Sequence, residues 1–150
     1  MALINFERGH TTVIGITRSG KTYATKISLA RQKNAVLFFN TQLEEMLNEY
    51  TKADGKSSIS MIKNALNRGL KINYLPSINQ DVRNKELTYL VEHLYQMNSK
   101  KKIYLVVDEV HLYEKDALKA LVQVATTGLR FNIAGIWISQ RPANIDNTLM

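Results

Sequence analysis

Residues 15–22 read Gly15-Ile16-Thr17-Arg18-Ser19-Gly20-Lys21-Thr22, the pattern G-x-x-x-x-G-K-[ST] of a phosphate-binding loop. That pattern has meaning only between a strand and a helix, and its flanks supply both. Thr11-Thr12-Val13-Ile14 is a β-branched run that reads as a buried strand, and residues 21–33 read as a helix. Gly15 and Gly20 let the backbone curl until successive N–H groups point inward at phosphate oxygens. The N-terminus of the following helix adds its dipole to the same anion site. In such a loop Lys21 reaches the β- and γ-phosphates of a nucleotide, and the Thr22 hydroxyl ligates Mg²⁺. The candidate nucleotide-binding residues are therefore Gly15, Ile16, Thr17, Arg18, Ser19, Gly20, Lys21 and Thr22.

Outward from the loop, apolar runs alternate with amphipathic stretches. Residues 35–39 (Ala-Val-Leu-Phe-Phe) read as a buried strand. Residues 41–50 read as a helix, with Thr41 and Glu44 as a capping box and Leu43, Met46, Leu47 and Tyr50 on one face. Residues 52–57 read as a polar loop around Asp54-Gly55. Ile59, Ile62 and Leu66 mark a short helix closed by Gly69. Residues 70–75 form a strand stopped by Pro76, and its half-polar pattern points to a sheet edge. A long helix spans about 81–98, with Leu87, Leu90, Val91 and Leu94 on one face. The most apolar strand is 103–107. A helix carrying Ala117, Leu118, Leu121, Val122 and Ala125 ends near Gly128, and a last strand covers 134–138. The fold class that follows is α/β: a mostly parallel sheet with helices on both faces. Ligands of such sheets bind at the carboxyl ends of the strands.

Two further motifs fall at that edge. Val106-Val107-Asp108-Glu109 is an apolar strand ending in two carboxylates, the form of a Walker B segment. Asp108 would hold Mg²⁺ opposite Thr22, and Glu109 would orient and polarise an attacking water. The metal neutralises phosphate charge while a separate carboxylate aims the nucleophile in line. His111, two residues on, reads either as a packing or surface histidine or as a link to a partner. The last strand ends Ser139-Gln140-Arg141-Pro142. Gln140 at that tip suits a γ-phosphate sensor; a turn residue before proline is the competing reading. Arg130 fits an arginine finger for a neighbouring subunit, or a basic residue complementing a helix C-terminus.

The 150 residues are enough for one domain, and 45% hydrophobic with 22% charged residues is ordinary for a globular protein. The chain has no cysteine, which excludes disulfides and thiolate metal sites. No run approaches the roughly 18 apolar residues of a membrane span, and no signal-like start is seen. A cytoplasmic, non-secreted location is expected from nucleotide use without a signal. Net charge is +7 and the pI near 9.6, a balance that favours polyanionic partners such as nucleic acid. The one basic cluster is Lys100-Lys101-Lys102, which also fits an ordinary solvated turn.

Taken together, Gly15 to Thr22, Val-Val-Asp108-Glu109-Val-His111 and Ile-Trp-Ile-Ser139-Gln140-Arg141-Pro142 resemble the FtsK–HerA superfamily of P-loop ATPases with a RecA/ASCE-like sheet. The Ser/Thr-Gln-Arg-Pro tip is the discriminating piece, and the likeness covers about residues 11–145. Within that superfamily the small size looks most like viral or plasmid genome-packaging ATPases. The resemblance implies ATP and Mg²⁺ as cofactors and a homo-oligomeric ring, often a hexamer, that moves double-stranded DNA through a pore. It also implies Lys21 and Thr22 on phosphate and Mg²⁺, Asp108 on Mg²⁺, and Glu109, Gln140 and Arg130 as catalytic residues. One departure is local: the family arginine usually follows a glycine, but here Leu129 stands between Gly128 and Arg130. Another is that the family normally carries a strand beyond the phosphate-loop strand. Either the chain is a fragment, or residues 4–7 fill that edge. The leading expectation is a DNA-stimulated ATPase motor that translocates or packages double-stranded DNA. An assembly or virion-export ATPase acting on proteins is the alternative. A small kinase ranks third, for want of an Arg-rich lid.

Overall fold

A computed structural model describes residues 3–6, 9–16, 19–141 and 145–150, leaving aside the side chain of Met46. Of the residues singled out above, Glu7, Thr17, Arg18 and Pro142 lie outside the described residues. The elements are β1 (Thr11–Ile14), α1 (Lys21–Ala30), β2 (Ala35–Phe39), β3 (Thr51–Asp54), α2 (Ile59–Asn67), β4 (Lys71–Leu75), α3 (Gln80–Met97), β5 (Ile103–Val107), α4 (Lys115–Thr127) and β6 (Ile133–Ser139). The strands form a six-stranded sheet in the order β1-β6-β5-β2-β4-β3. Every pairing is parallel, so the carboxyl ends of all six strands share one edge.

The apolar alternation of the central strands sorts side chains between two layers. Leu37, Phe39, Leu105, Val107, Ile133 and Trp137 pack with Leu66 of α2, Leu87 and Leu94 of α3, and Leu121 and Val124 of α4. Val36, Phe38, Tyr104, Val106, Ala134, Ile136 and Ile138 pack on the other side with Leu29 of α1, Phe6, Leu47 and Tyr50. Each fully buried large apolar side chain stabilises the fold by about 1.5–3 kcal/mol. With β2, β5 and β6 buried along their whole length, the sheet's centre is a rigid platform for whatever sits at its edge. Helix α3 is capped at both ends. The Asn79 side chain accepts from Val82 N at 3.1 Å, and Asn98 takes the left-handed conformation at φ 45°. Among the described residues no helix is long and apolar enough to cross a membrane.

Five local expectations are corrected. Residues 41–50 do not form a helix. Leu43 sits at φ 55°, which a right-handed helix cannot continue, and only Glu45–Leu47 makes a short 3₁₀ turn. The Asn40 side chain takes over instead, accepting from Glu44 N at 2.9 Å and donating to Glu44 O at 3.2 Å. Residues 51–54, expected to be mostly loop, form β3. That strand, not the one at 71–75, is the sheet edge on this side. The half-polar look of β4 comes from Asn73, whose buried side chain accepts from Asn40 Nδ2 at 3.0 Å rather than facing water. Helix α1 stops at Ala30, short of Lys33. Ile4–Phe6 add no strand beside β1: Ile4 N donates to Ser28 Oγ of α1 at 2.9 Å, and Phe6 is fully buried. Among the described residues β1 is therefore the other edge of the sheet.

Candidate active site

The loop after β1 begins at Gly15, whose N–H donates to Ser139 O on β6 at 3.3 Å. A Cβ on Gly15 would stand 2.6 Å from Ser19 Oγ, so a side chain there would have to push the Ser19 hydroxyl aside. Gly20 caps α1 at φ 81°, a conformation that favours glycine. It offers no side-chain acceptor, and α1 has no acidic residue in its first turn. The N–H groups of that turn are thus left for an anion. Lys21 Nζ lies over the loop, donating to Gly15 O at 2.7 Å and Ile16 O at 2.8 Å. Its charge is held where phosphate oxygens can replace the two carbonyls.

Across a cavity of about 350 Å³, lined by Ser19 to Tyr23, Gln42, Glu44, Asp108, Glu109 and Gln140, stand the tips of β5 and β6. Gln140 Nε2 donates to Glu109 Oε1 at 3.0 Å. His111 Nδ1 lies 3.2 Å from Glu109 Oε2 and 2.9 Å from Ser139 Oγ. Ser139 Oγ in turn accepts from Arg141 N at 3.0 Å. Burial holds the His111 imidazole below its usual value, against the opposing pull of the Glu109 charge. It is therefore neutral at pH 7, and beside a carboxylate the tautomer with a proton on Nδ1 is the favoured one. Glu109 itself adopts φ 51°, a left-handed conformation costing on the order of 1 kcal/mol for a non-glycine residue. The Gln140 bond to Oε1 helps hold the group toward the cavity, while Oε2, beside the His111 ring, has no hydrogen-bond partner among the described residues.

Asp108 is 2% exposed. Its Oδ1 accepts from Glu109 N at 3.0 Å, while Oδ2 has no hydrogen-bond partner among the described residues. Burial first, then the charge of Glu109, pushes the Asp108 carboxyl up to about 7. A buried oxygen without a partner is costly unless something supplies positive charge. Among the described residues no cluster of three His, Cys, Asp or Glu could enclose a metal by itself. Mg²⁺ needs no such cage, being held by one or two carboxylates together with substrate phosphates. The donors Asp108 and Thr22, on one cavity, fit that mode.

The structure thus brings Gly15, Ser19, Gly20, Lys21, Thr22, Asp108, Glu109 and Gln140 to one edge. It does not bring Arg130 there. Arg130 is exposed in the 3₁₀ turn Gly128–Phe131, at the amino end of β6. The strand puts it about 20 Å from the site at 3.3 Å per residue. Sequence reasoning missed Gln42 and Glu44 as lining residues, having placed them in a helix. The signal was their position just past the carboxyl end of β2. Of the two readings of His111, packing and coupling, the structure places its ring beside both Glu109 and Ser139. Thr41 was read as a helix cap, and its hydroxyl instead donates to Asp108 O at 2.7 Å and meets the Tyr113 hydroxyl at 2.6 Å. It buttresses the β5 tip.

A glycine-rich loop between the first strand and the first helix, facing an Asp-Glu pair across a parallel sheet, defines a P-loop NTPase. The chain belongs to the AAA domain family, whose sequence profile it matches over residues 4–138. No curated protein matches it in sequence. Among solved structures it is similar to the genome packaging NTPase B204 from Sulfolobus turreted icosahedral virus 2. The complex of that protein with AMP superposes with TM-score 0.69 at 18% identity, covering 97% of this chain and 71% of that one. Its complex with ATP-gammaS gives 0.64 at 16% identity, covering 94% and 70%. The cytoplasmic domain of EssC gives 0.56 at 20% identity, covering 97% of this chain and 30% of that one. The chain is a P-loop ATPase domain, and its fold is the one that the FtsK–HerA resemblance implies.

Proposed function

We propose that this domain is the motor of a machine that uses ATP and Mg²⁺ to translocate or package double-stranded DNA, working in the cytoplasm as a homo-oligomeric ring. In this reading Lys21 leaves the Gly15 and Ile16 carbonyls for the β- and γ-phosphates. Asp108 and Thr22 hold Mg²⁺, which when bound neutralises phosphate charge. Glu109 takes the proton of a water whose oxygen attacks the γ-phosphorus as the β–γ phosphoanhydride bond breaks. Gln140 exchanges its bond to Glu109 for one to the γ-phosphate, reporting the nucleotide state to β6.

The observation that carries the reading is the Gln140–Glu109–His111–Ser139 network. It joins the proposed water-activating carboxylate to the strand tip with the Ser-Gln-Arg-Pro signature. DNA as the load is supported by the fold shared with a genome packaging NTPase. The ring is what the FtsK–HerA resemblance implies; Arg130 stands at the far pole of its own chain, so any catalytic role would be in a neighbour's site. The test is ATP hydrolysis by the purified protein with and without duplex DNA of arbitrary sequence, because a pump grips phosphates and reads no bases. Stimulation by duplex is expected. An oligomer whose hydrolysis ignores DNA would replace this reading with an assembly or export ATPase acting on proteins.

A further inference from the structure

Three loops meet at the amino end of the sheet, the pole opposite the nucleotide cavity. They lead into β2, β4 and β5, and together they enclose a basin of about 700 Å³. Lys33, Arg68, Lys100, Lys101 and Lys102 line it, and no Asp or Glu does. None of the five forms an ion pair with a carboxylate among the described residues. Five positive charges of a chain with net charge +7 thus line one concavity with no carboxylate in its lining.

The turn that carries three of these cations is braced rather than loose. Asn132 Nδ2 donates to Ser99 O at 2.7 Å, Ser99 Oγ donates to Lys101 O at 2.7 Å, and Asn34 Nδ2 donates to Lys102 O at 3.3 Å. Asn98, at φ 45°, turns the chain out of α3 into it. Like charges held side by side repel, so a fixed cluster of this kind is stabilised by a polyanion that releases its own counterions on binding.

We propose that this basin grips the phosphate backbone of duplex DNA; the inference rests on the motor reading and deepens it by placing the load. The other basic candidates compare poorly. Lys85 shares its hollow with Asp81, Glu92, Glu114 and Asp116. Arg83 lies over the Tyr113 ring with its carbon 5.7 Å from the centroid; Lys102 in the basin makes the same kind of contact, 5.9 Å over the Tyr104 ring, so the grip rests mainly on Lys33, Arg68, Lys100 and Lys101. The placement also gives a mechanical route. Strand β5 has Lys102 before its first residue and Asp108 after its last. The grip and the hydrolytic pair therefore occupy two ends of one fully buried strand.

The test is fluorescence anisotropy with a labelled duplex of random sequence, titrated at several salt concentrations, beside ATPase assays. The proteins are wild type, Arg68→Glu/Lys101→Glu, the milder Lys100→Gln/Lys101→Gln, and Lys119→Glu as a control on exposed α4. The basin variants alter exposed side chains, and matching circular dichroism and thermal melts establish that they fold. Duplex affinity is expected to fall tenfold or more in Arg68→Glu/Lys101→Glu, with a log–log salt slope shallower by about 0.9 per lost phosphate contact. Basal ATPase without DNA should stay at the wild-type level, and the control should bind normally. If wild type binds duplex and the basin variants bind it with the same affinity and slope, the basin is not the grip and the motor reading survives. If folded, ATP-hydrolysing wild type neither binds nor responds to duplex, the motor reading fails and takes this inference with it.

Discussion

Gln140 Nε2 donates to Glu109 Oε1 at 3.0 Å, tying the tips of two neighbouring strands through one carboxylate. The bond makes separate predictions for the two partners. Glu109→Gln removes the general base, so turnover should fall on the order of 100-fold or more while nucleotide affinity stays near wild type. Gln140→Ala leaves the base in place but frees one of its oxygens. Its turnover should fall less, and affinity for ATP should weaken more than affinity for ADP, because the amide's contact to the γ-phosphate is lost. Steady-state hydrolysis and fluorescent-nucleotide titration read both, and wild-type turnover in Glu109→Gln would remove that residue from the chemistry.

His111 is expected to act through Glu109. His111→Ala removes the imidazole that stands 3.2 Å from Glu109 Oε2 and bonds Ser139 Oγ, and should lower kcat roughly 10-fold, the scale of one polar contact beside a charged group, with KM close to wild type. His111→Asn presents an N–H near the same place and should recover a substantial part of the loss. A variant pair equal in kcat, or one in which only KM moves, would assign His111 to packing.

Asp108 sets a pH dependence whose sign is fixed by its raised value. Between the ordinary value of 3.8 and about 7 the folded chain holds a proton that the unfolded chain has lost. Nucleotide-free stability should therefore decline as pH rises through that window and level off above it. Asp108→Asn should flatten the decline, read as melting temperature against pH. Binding of Mg²⁺ with nucleotide requires the carboxylate, so it should release a proton at pH 6 and almost none at pH 8. Calorimetry in buffers of different ionisation enthalpy measures this, and equal release at both values would contradict the assignment.

Arg130 belongs to a neighbour's site if it belongs to any. Mixing Arg130→Ala, which keeps its own loop, with Lys21→Ala, which keeps its arginine, should give more hydrolysis than either variant alone. Activity per chain should also rise with protein concentration. A strictly monomeric sample with a concentration-independent rate would exclude the arginine from catalysis in trans.

Gly135 predicts stability rather than activity. A Cβ there would lie 2.1 Å from Trp137 Cζ2, in a strand paired on both sides. The indole is fully buried and has no room to retreat. Gly135→Ala should cost about 1–3 kcal/mol, and thermal melting at about 2–4 °C per kcal/mol detects it. An unchanged melting temperature would mean that the Trp137 side can yield.

The sequence alone determined the nucleotide loop, the Asp108-Glu109 pair and the parallel α/β class. Those features are local: a loop's curl needs its own glycines, and a strand buried on both faces is apolar over successive residues wherever it lies. Tertiary structure decided the rest. Strand order made residues 51–54 an edge and turned 71–75 inward, where the polarity of Asn73 is satisfied by Asn40, just past β2 and 33 positions away. The link of His111 to Glu109 and Ser139, the inclusion of Gln42 and Glu44 in the cavity, and the far-pole position of Arg130 were decided the same way. So was the meeting of Lys33, Arg68 and Lys100–Lys102. Each depends on which strand ends the topology sets side by side, and hydrophobic periodicity, which fixes only the face a residue takes, carries no information about that order.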